Sequence, residues 1–424
     1  MRRGREIVGA TATWPAVFAG VLILLASLAY VPAGWGALNN FDPPKRLLWA
    51  FLALALAGIW SVGKGRLDRA PLLLSFGLLA WMVLRTLLRP HPAAEVEVLF
   101  TWVLPVLLFI SASGLNHGRG ARIVGGLLLL ASLLQVVFMV LQRLGHDPIF
   151  FETTSAMAYK PERMVGTIGY QNQAVDFLAL SAAGILLVSR SFWIRLTTMA
   201  GLLLVATLTG NRGGVLAFVS AFLVCQALAV CLNRSWSQRK KWMATAALAV
   251  GLCGVAGSIA LVPETGGRFR EVATNFRRSP AVASRMVMAR VGWSLLREKP
   301  WTGWGAGEYA YQYLERLGAV LPEAKTHESL RGVVFAREAH NDALQFAGEF
   351  GIIGILMAVS LLGMALASMA RARQMDGIAI PSMSFILVYM AVSSLFSFPW
   401  QTGMAGPLAG LLLGWLWPQH KAGP

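Results

Sequence analysis

Three short stretches of the chain hold the residues best suited to chemistry. His340-Asn341-Asp342 stands where a polar run ending at Ala339 gives way to an apolar one. A histidine with an ordinary pKa near 6.5 is neutral enough at pH 7 to take a proton from a hydroxyl. A lone histidine at such a boundary can equally be interfacial. Asn341 and Asp342 offer N-cap chemistry to the helix that follows. In Gly210-Asn211-Arg212-Gly213-Gly214 an arginine lies between glycines, its guanidinium unshielded at a helix N-terminus. That is either an anion site, since arginine grips phosphate in bidentate fashion and stays charged, or a tight interhelical turn with a snorkelling arginine. Arg285, in Ala283-Ser284-Arg285, heads a stretch in which Met286, Ala289, Arg290, Trp293 and Leu296 recur at helical spacing. Taken alone it says little.

Two further segments could touch a ligand. Trp301-Thr302-Gly303-Trp304-Gly305-Ala306-Gly307 is a glycine-rich turn followed by Tyr309, Tyr311 and Tyr313. Its aromatics suit a membrane interface or the face of a sugar ring. Pro161 to Ala174 carries Arg163 and the cluster Tyr170-Gln171-Asn172-Gln173, amides that could bond sugar hydroxyls or cap a helix. Other chemistries find no support. The chain has no DxD motif, Asp42, Asp147 and Asp342 stand isolated, and the loop glutamates do not cluster at ligand spacing, so neither a metal nor a cofactor is expected. Cys225, Cys231 and Cys253 show no CxxC spacing, which argues against a zinc site and structural disulfides.

These residues are embedded in a greasy chain. Of 424 residues 56% are hydrophobic and 13% charged, against about 25% charged in soluble domains. Apolar runs long enough to cross about 30 Å of hydrocarbon recur, without the alternation of a β-barrel. The expected fold is all-α and polytopic, with twelve spans near 14–31, 46–62, 70–88, 98–113, 123–141, 173–189, 196–209, 213–232, 243–262, 345–369, 380–397 and 403–418. Arg2, Arg3 and Arg5 precede an apolar run without a convincing cleavage site, so that run reads as the first span.

The basic excess, 37 Lys+Arg against 20 Asp+Glu, orients the spans and calls for no nucleic acid. With the N-terminus cytoplasmic, the inside segments hold seventeen basic residues and the short outside segments eight, which places both termini inside. The remaining twelve lie between Pro263 and Ala339, with eight glutamates and no aspartate. Long loops translocate largely regardless of charge, and a basic external surface suits an anionic ligand, or is simply solvated. The expected organisation is spans 1–9 over 1–262, a long partly helical periplasmic loop over 263–340, and spans 10–12 over 341–424.

The order of four elements resembles the O-antigen ligase and O-antigen polymerase superfamily of bacterial membrane glycosyltransferases. They are Arg163-Met164-Val165-Gly166-Thr167 through Asn172; Gly210 to Gly214; Ser284-Arg285 with Pro300-Trp301-Thr302-Gly303-Trp304-Gly305; and Ala339-His340-Asn341-Asp342-Ala343-Leu344-Gln345 with Glu349-Phe350-Gly351-Ile352-Ile353-Gly354. Ser397-Phe398-Pro399-Trp400 also looks like the family's last periplasmic turn. The resemblance implies a GT-C-like fold in the bacterial inner membrane with a periplasmic site. It implies an undecaprenyl-pyrophosphate-linked glycan as donor, with membrane lipid around it. As acceptor it implies the lipid A-core of a ligase, the repeat unit of a polymerase, or the Ser/Thr of a protein O-oligosaccharyltransferase. Ligase is favoured, because the chain is compact and lacks a large C-terminal extension, and a monomer is expected. By motif, Arg212 and Arg285 would hold the pyrophosphate and His340 would activate the acceptor hydroxyl. Arg163, Gln171, Asn172, Asn211, Arg290, Trp304 and Asn341 would bind substrate. A twelve-span transporter or flippase is the alternative from another class. Against it, the spans are nearly free of charge, Asp176 excepted, and only one half carries a long loop.

Overall fold

The computed structural model describes residues 14–30, 42–62, 68–91, 96–113, 119–146, 164–189, 191–232, 237–246, 249, 257, 280–320, 336–371 and 379–417. They form helices and turns, with no strand among the described residues. The helices are α1 (Trp14–Leu28), α2 (Asp42–Val62), α3 (Arg69–Leu87), α4 (Val96–Ala112), α5 (Arg119–Arg143), α6 (Gln171–Val188), α7 (Phe192–Leu208), α8 (Arg212–Leu232), α9 (Pro280–Glu298), α10 (Glu308–Val320), α11 (Asp342–Arg371), α12 (Ala379–Ser393) and α13 (Ala405–Leu416). A 3-10 turn, Pro399–Gln401, precedes α13. Eleven of the expected spans coincide with a helix; the ninth, near 243–262, lies for the most part outside the described residues. By length and composition α3, α5, α6 and α11 can each cross a membrane, and α1, α4, α7, α8, α12 and α13 are shorter apolar helices. The protein is a helical membrane protein.

Two helices form the centre. From Gln173 to Leu187 every residue of α6 is buried, and so is every residue of α13. Helix α13 lies directly on α4 through Gly410 and Gly414 and on the preceding 3-10 turn through Gly406, three glycines that present bare backbone at four-residue spacing. A Cβ at any of the three would overlap the carbonyl of Trp400, Pro105 or Phe109. In lipid, where apolar surface alone drives no association, such small-residue stripes let helices meet at close range. Around this pair α5 packs on α6 and α1, α8 on α12, and α3 on α11.

Alternate helix ends converge on one face. Arg46, early in α2, pairs with Glu97, early in α4, and Glu97 also pairs with Arg337 at 3.3 Å. At the start of α6, Gln171 donates to Thr209 O at the end of α7. Asp342, opening α11, donates its N–H to Ser394 O just past α12 (3.0 Å). This clustering is what an up-and-down bundle produces.

The described residues 280–320 and 336–341 fold onto that same end. The expected amphipathic helix exists as α9, and it packs on α10 through Val287, Val291, Leu295, Tyr309 and Tyr313. Tyr309 and Tyr313 are fully buried, and Tyr309 Oη donates to Met288 O at 2.9 Å. They are core residues and face neither a membrane interface nor a sugar. Tyr311 alone is turned outward, stacked on His91 with ring centroids 5.2 Å apart.

Helix α11 is interrupted. Gly351 has φ 67° and ψ −172°, which divides α11 into two limbs. The glycine-rich turn enters the gap as a strap. Ile352 and Ile353 donate their N–H groups to Pro300 O (2.7 Å) and Trp301 O (3.3 Å), while Trp304 and Gly305 donate theirs to Gly348 O (3.0 Å) and Glu349 O (2.7 Å). Trp81 Nε1 donates to Phe350 O at 2.9 Å. These five backbone groups, which a break would otherwise leave unsatisfied in an apolar setting, gain partners. Broken helices mark transporters when they line a substrate path; here the strap occupies the break.

Candidate active site

Arg212, Arg285 and His340 come from three separate segments, and the fold brings them together. Arg212 is the first residue of α8. Its turn is built by Asn211, whose Oδ1 accepts the Gly214 N–H at 3.2 Å as an N-cap. A Cβ at Gly213 would overlap Phe396, and one at Gly214 would overlap Val175 and the Asn211 amide, so the turn needs bare backbone to seat against α6 and the 394–401 turn. Arg285 sits one turn into α9, exposed by surface area, yet with enough protein about its guanidinium for desolvation to lower its pKa. The positive charge of Arg212 lowers it further, which records the proximity of the two guanidinium groups. An arginine remains charged at neutral pH regardless.

His340 lies beside Arg285. Burial, then the charge of Arg285, pushes its pKa from 6.5 down to about 4, so the ring is neutral at pH 7. It occupies the left-handed region at φ 49°, unusual for a residue with a Cβ. Its ring meets Phe398 edge-on, with centroids 5.0 Å apart, and its Nδ1 is buried without a hydrogen-bond partner among the described residues. Two like-charged guanidinium groups beside a neutral imidazole form a place for an anion next to a base.

The backbone around His340 is held from several sides. Asn341 Oδ1 accepts Leu344 N–H at 2.9 Å as the N-cap of α11. Its Nδ2 reaches Leu395 O at 3.5 Å. Asp342 accepts from Trp400 N–H (2.8 Å) and from Gln401 Nε2 (2.7 Å). Gln345 Oε1 accepts Ala339 N–H at 2.8 Å, and its Nε2 donates to Gln401 Oε1 (3.0 Å) and Glu349 Oε1 (3.1 Å). Glu349 also accepts from Trp102 Nε1 (2.9 Å) and Gly307 N–H (3.3 Å). Asp342, Gln345 and Glu349 were read in the sequence as a cap and an apolar helix. Their spacing of i, i+3 and i+7 puts them on one helix face, and that is the signal that would have found the network.

The expected substrate-binding residues are spread more widely. Gln171 and Asn172 open α6, where Gln171 Nε2 bonds Thr209 O and so ties that helix to the Arg212 turn. Arg163 lies outside the described residues. Arg290 is exposed on α9, one turn beyond Arg285. Trp304 belongs to the strap: its Nε1 donates to Leu295 O (3.1 Å), Lys299 Nζ stands 3.7 Å over its ring, and Arg316 approaches at 5.0 Å. Its visible contacts thus brace the strap against α9. Arg85 and Arg89, counted in the sequence only as external charge, grip the strap, Arg85 through Thr302 O (2.8 Å) and Gly303 O (2.9 Å), Arg89 through Ala306 O (3.1 Å). Among the described residues no group of three His, Cys, Asp or Glu could hold a metal ion.

An apolar cavity of about 540 Å³ runs beside the site between α3, α4, α11, α12 and α13. Met82, Phe109, Phe346, Leu387 and Trp417 line its length, and Asp342, Ser394 and Trp400 its polar part.

Residues 197–359 match the family model described as O-antigen ligase. Over these residues the chain is similar to the O-antigen ligase family. The matched stretch contains Arg212, Arg285, His340, the strap and the broken limb of α11, so the ligase signature and the clustered residues coincide. No curated protein matches the chain. The 394–401 turn and α6, which contact this cluster, lie outside the matched residues.

Proposed function

We propose that this protein is an O-antigen ligase that transfers a glycan from an undecaprenyl-pyrophosphate carrier to an acceptor hydroxyl, with lipid A-core as the acceptor. The observation that carries the reading is the meeting of Arg212, Arg285 and a neutral His340 at one end of the bundle. The acceptor oxygen attacks the anomeric carbon and its proton passes to the His340 ring. The bond from that carbon to the pyrophosphate oxygen breaks, and undecaprenyl pyrophosphate departs with the electron pair. Arg212 and Arg285 stabilise the charge that grows on this leaving group, helped by the N-terminus of α8. A single displacement of this kind inverts the anomeric centre and requires no metal. The apolar cavity beside the site offers room for part of a lipid chain.

In this reading twelve spans cross the inner membrane, both termini are cytoplasmic, the clustered end faces the periplasm, and the protein works as a monomer. Gln171, Asn172, Asn211, Arg290 and Asn341 are the candidates for glycan contact, together with Arg163 and Trp304. The test is transfer by the purified protein from a lipid-linked glycan to lipid A-core, to a second lipid-linked glycan, and to a Ser/Thr peptide. Transfer to lipid A-core alone supports a ligase; chain extension of the second lipid-linked glycan would make it a polymerase. His340→Ala and Arg212→Ala should each lower turnover by roughly 10²-fold or more while leaving the protein in the membrane, and Arg285→Lys should be impaired because lysine loses the bidentate fork. Normal turnover in His340→Ala would remove the base from the mechanism.

A further inference from the structure

His340 is strained, and its buried Nδ1 lacks a hydrogen-bond partner among the described residues, so other contacts must hold it. Its φ of 49° is costly for a residue with a Cβ. Its Nδ1 has no hydrogen-bond acceptor among the described residues, so the usual orienting partner of a catalytic histidine is absent at that atom. Phe398 meets the ring edge-on. The hydrogen bonds that define this turn act instead on its backbone, and one side chain joins them. Gln345 is 1% exposed, and its two polar atoms make three hydrogen bonds: Oε1 from Ala339 N–H, and Nε2 to Gln401 Oε1 and to Glu349 Oε1.

We infer that Gln345 is a positioning residue for His340, locking the left-handed turn through Ala339 and coupling it to the strap through Glu349. The inference rests on the reading of His340 as the base. The geometry is specific. Ala339 N–H belongs to the Glu338–Ala339 peptide, one residue ahead of His340, so fixing it limits movement of the segment that leads into the imidazole. Gln401, on the other bond, is itself clamped by Asp342 (2.7 Å), and Glu349 is clamped by Trp102 (2.9 Å) and by Gly307 in the strap (3.3 Å). A buried network in which each amide is satisfied rigidifies what it touches, and loss of one member leaves the others unpaired. Gln345 does not meet the donor or the acceptor in this scheme. Its loss should therefore slow the chemical step and leave donor binding alone.

The experiment uses the full-length protein in lipid nanodiscs, with undecaprenyl-pyrophosphate-linked glycan as donor and lipid A-core as acceptor. Gln345→Leu keeps the size and removes the bonds; Gln345→Glu keeps an acceptor for Ala339 N–H. Expected is a fall in kcat on the order of 10- to 100-fold for Gln345→Leu, donor KM within about twofold of wild type, and a smaller fall for Gln345→Glu. The ring NMR resonances of His340, assigned by their loss in His340→Gln, should shift or broaden in Gln345→Leu. This second readout holds without turnover. Wild-type kcat and an unmoved His340 resonance in Gln345→Leu, with His340→Ala inactive, would overturn the inference and leave the ligase reading intact. Full turnover in His340→Ala would remove the base itself, and the positioning role with it. A rise in donor KM equal to the fall in kcat/KM would assign Gln345 to binding instead.

Discussion

The histidine at the centre of the proposed chemistry is kept neutral by two effects that act in one direction. Desolvation disfavours the imidazolium, and the Arg285 guanidinium repels it. The folded-state pKa lies below the unfolded value, so between about pH 4 and 6.5 the unfolded chain binds more protons, and stability declines as pH falls through that window. Histidine ring NMR should show His340 titrating near pH 4, and Arg285→Gln should move the midpoint upward by removing the like charge. A midpoint at 6.5 in both proteins would separate His340 from Arg285. By residue type alone both were legible only as a lone base and a lone arginine; with 54 residues and a change of helix between them, their meeting was implied by the family resemblance.

At the scale of elements, the decisive contact is the strap in the break of α11. Gly351 adopts φ 67°, and a Cβ there would overlap the Trp301 carbonyl, so Gly351→Ala is both strained and obstructed. It should destabilise the protein by about 2 kcal/mol or more, read as a lowered Tm in detergent, and should lower turnover as well, because Glu349 lies on the limb that the strap braces. An unchanged Tm would mean that the gap is not filled in solution. The helices themselves were easy to read, since hydropathy over a bilayer-length window identifies them directly. The strap was not. Its docking is made by main-chain N–H and C=O groups that every residue carries, and only Gly303, Gly305 and Gly351 leave a trace of it. Tyr309, Tyr311 and Tyr313 were read as aromatics for a membrane interface or a sugar ring, whereas on a helix 309 and 313 share one face and that face is the core.

For the whole molecule, the convergence of alternate helix ends predicts a definite sidedness. With the natural cysteines replaced, Trp301→Cys should react with a membrane-impermeant maleimide from the periplasmic side, since Trp301 is 63% exposed on the strap. Ser237→Cys, exposed beyond the far end of α8, should react only after the inner membrane is opened. The reverse pattern would invert the orientation that the basic residues imply.

The break in α11 also bears on biogenesis. Residues 300–305 leave the ribosome before 348–353, so the strap must wait until its docking site is made. Until then the amides of Ile352 and Ile353 and the carbonyls of Gly348 and Glu349 have no intrahelical partners, and α11 is an unfinished element in a poor solvent for it. Completion of this helix therefore depends on the strap, and a chain whose strap fails to dock carries a helix with unsatisfied backbone groups.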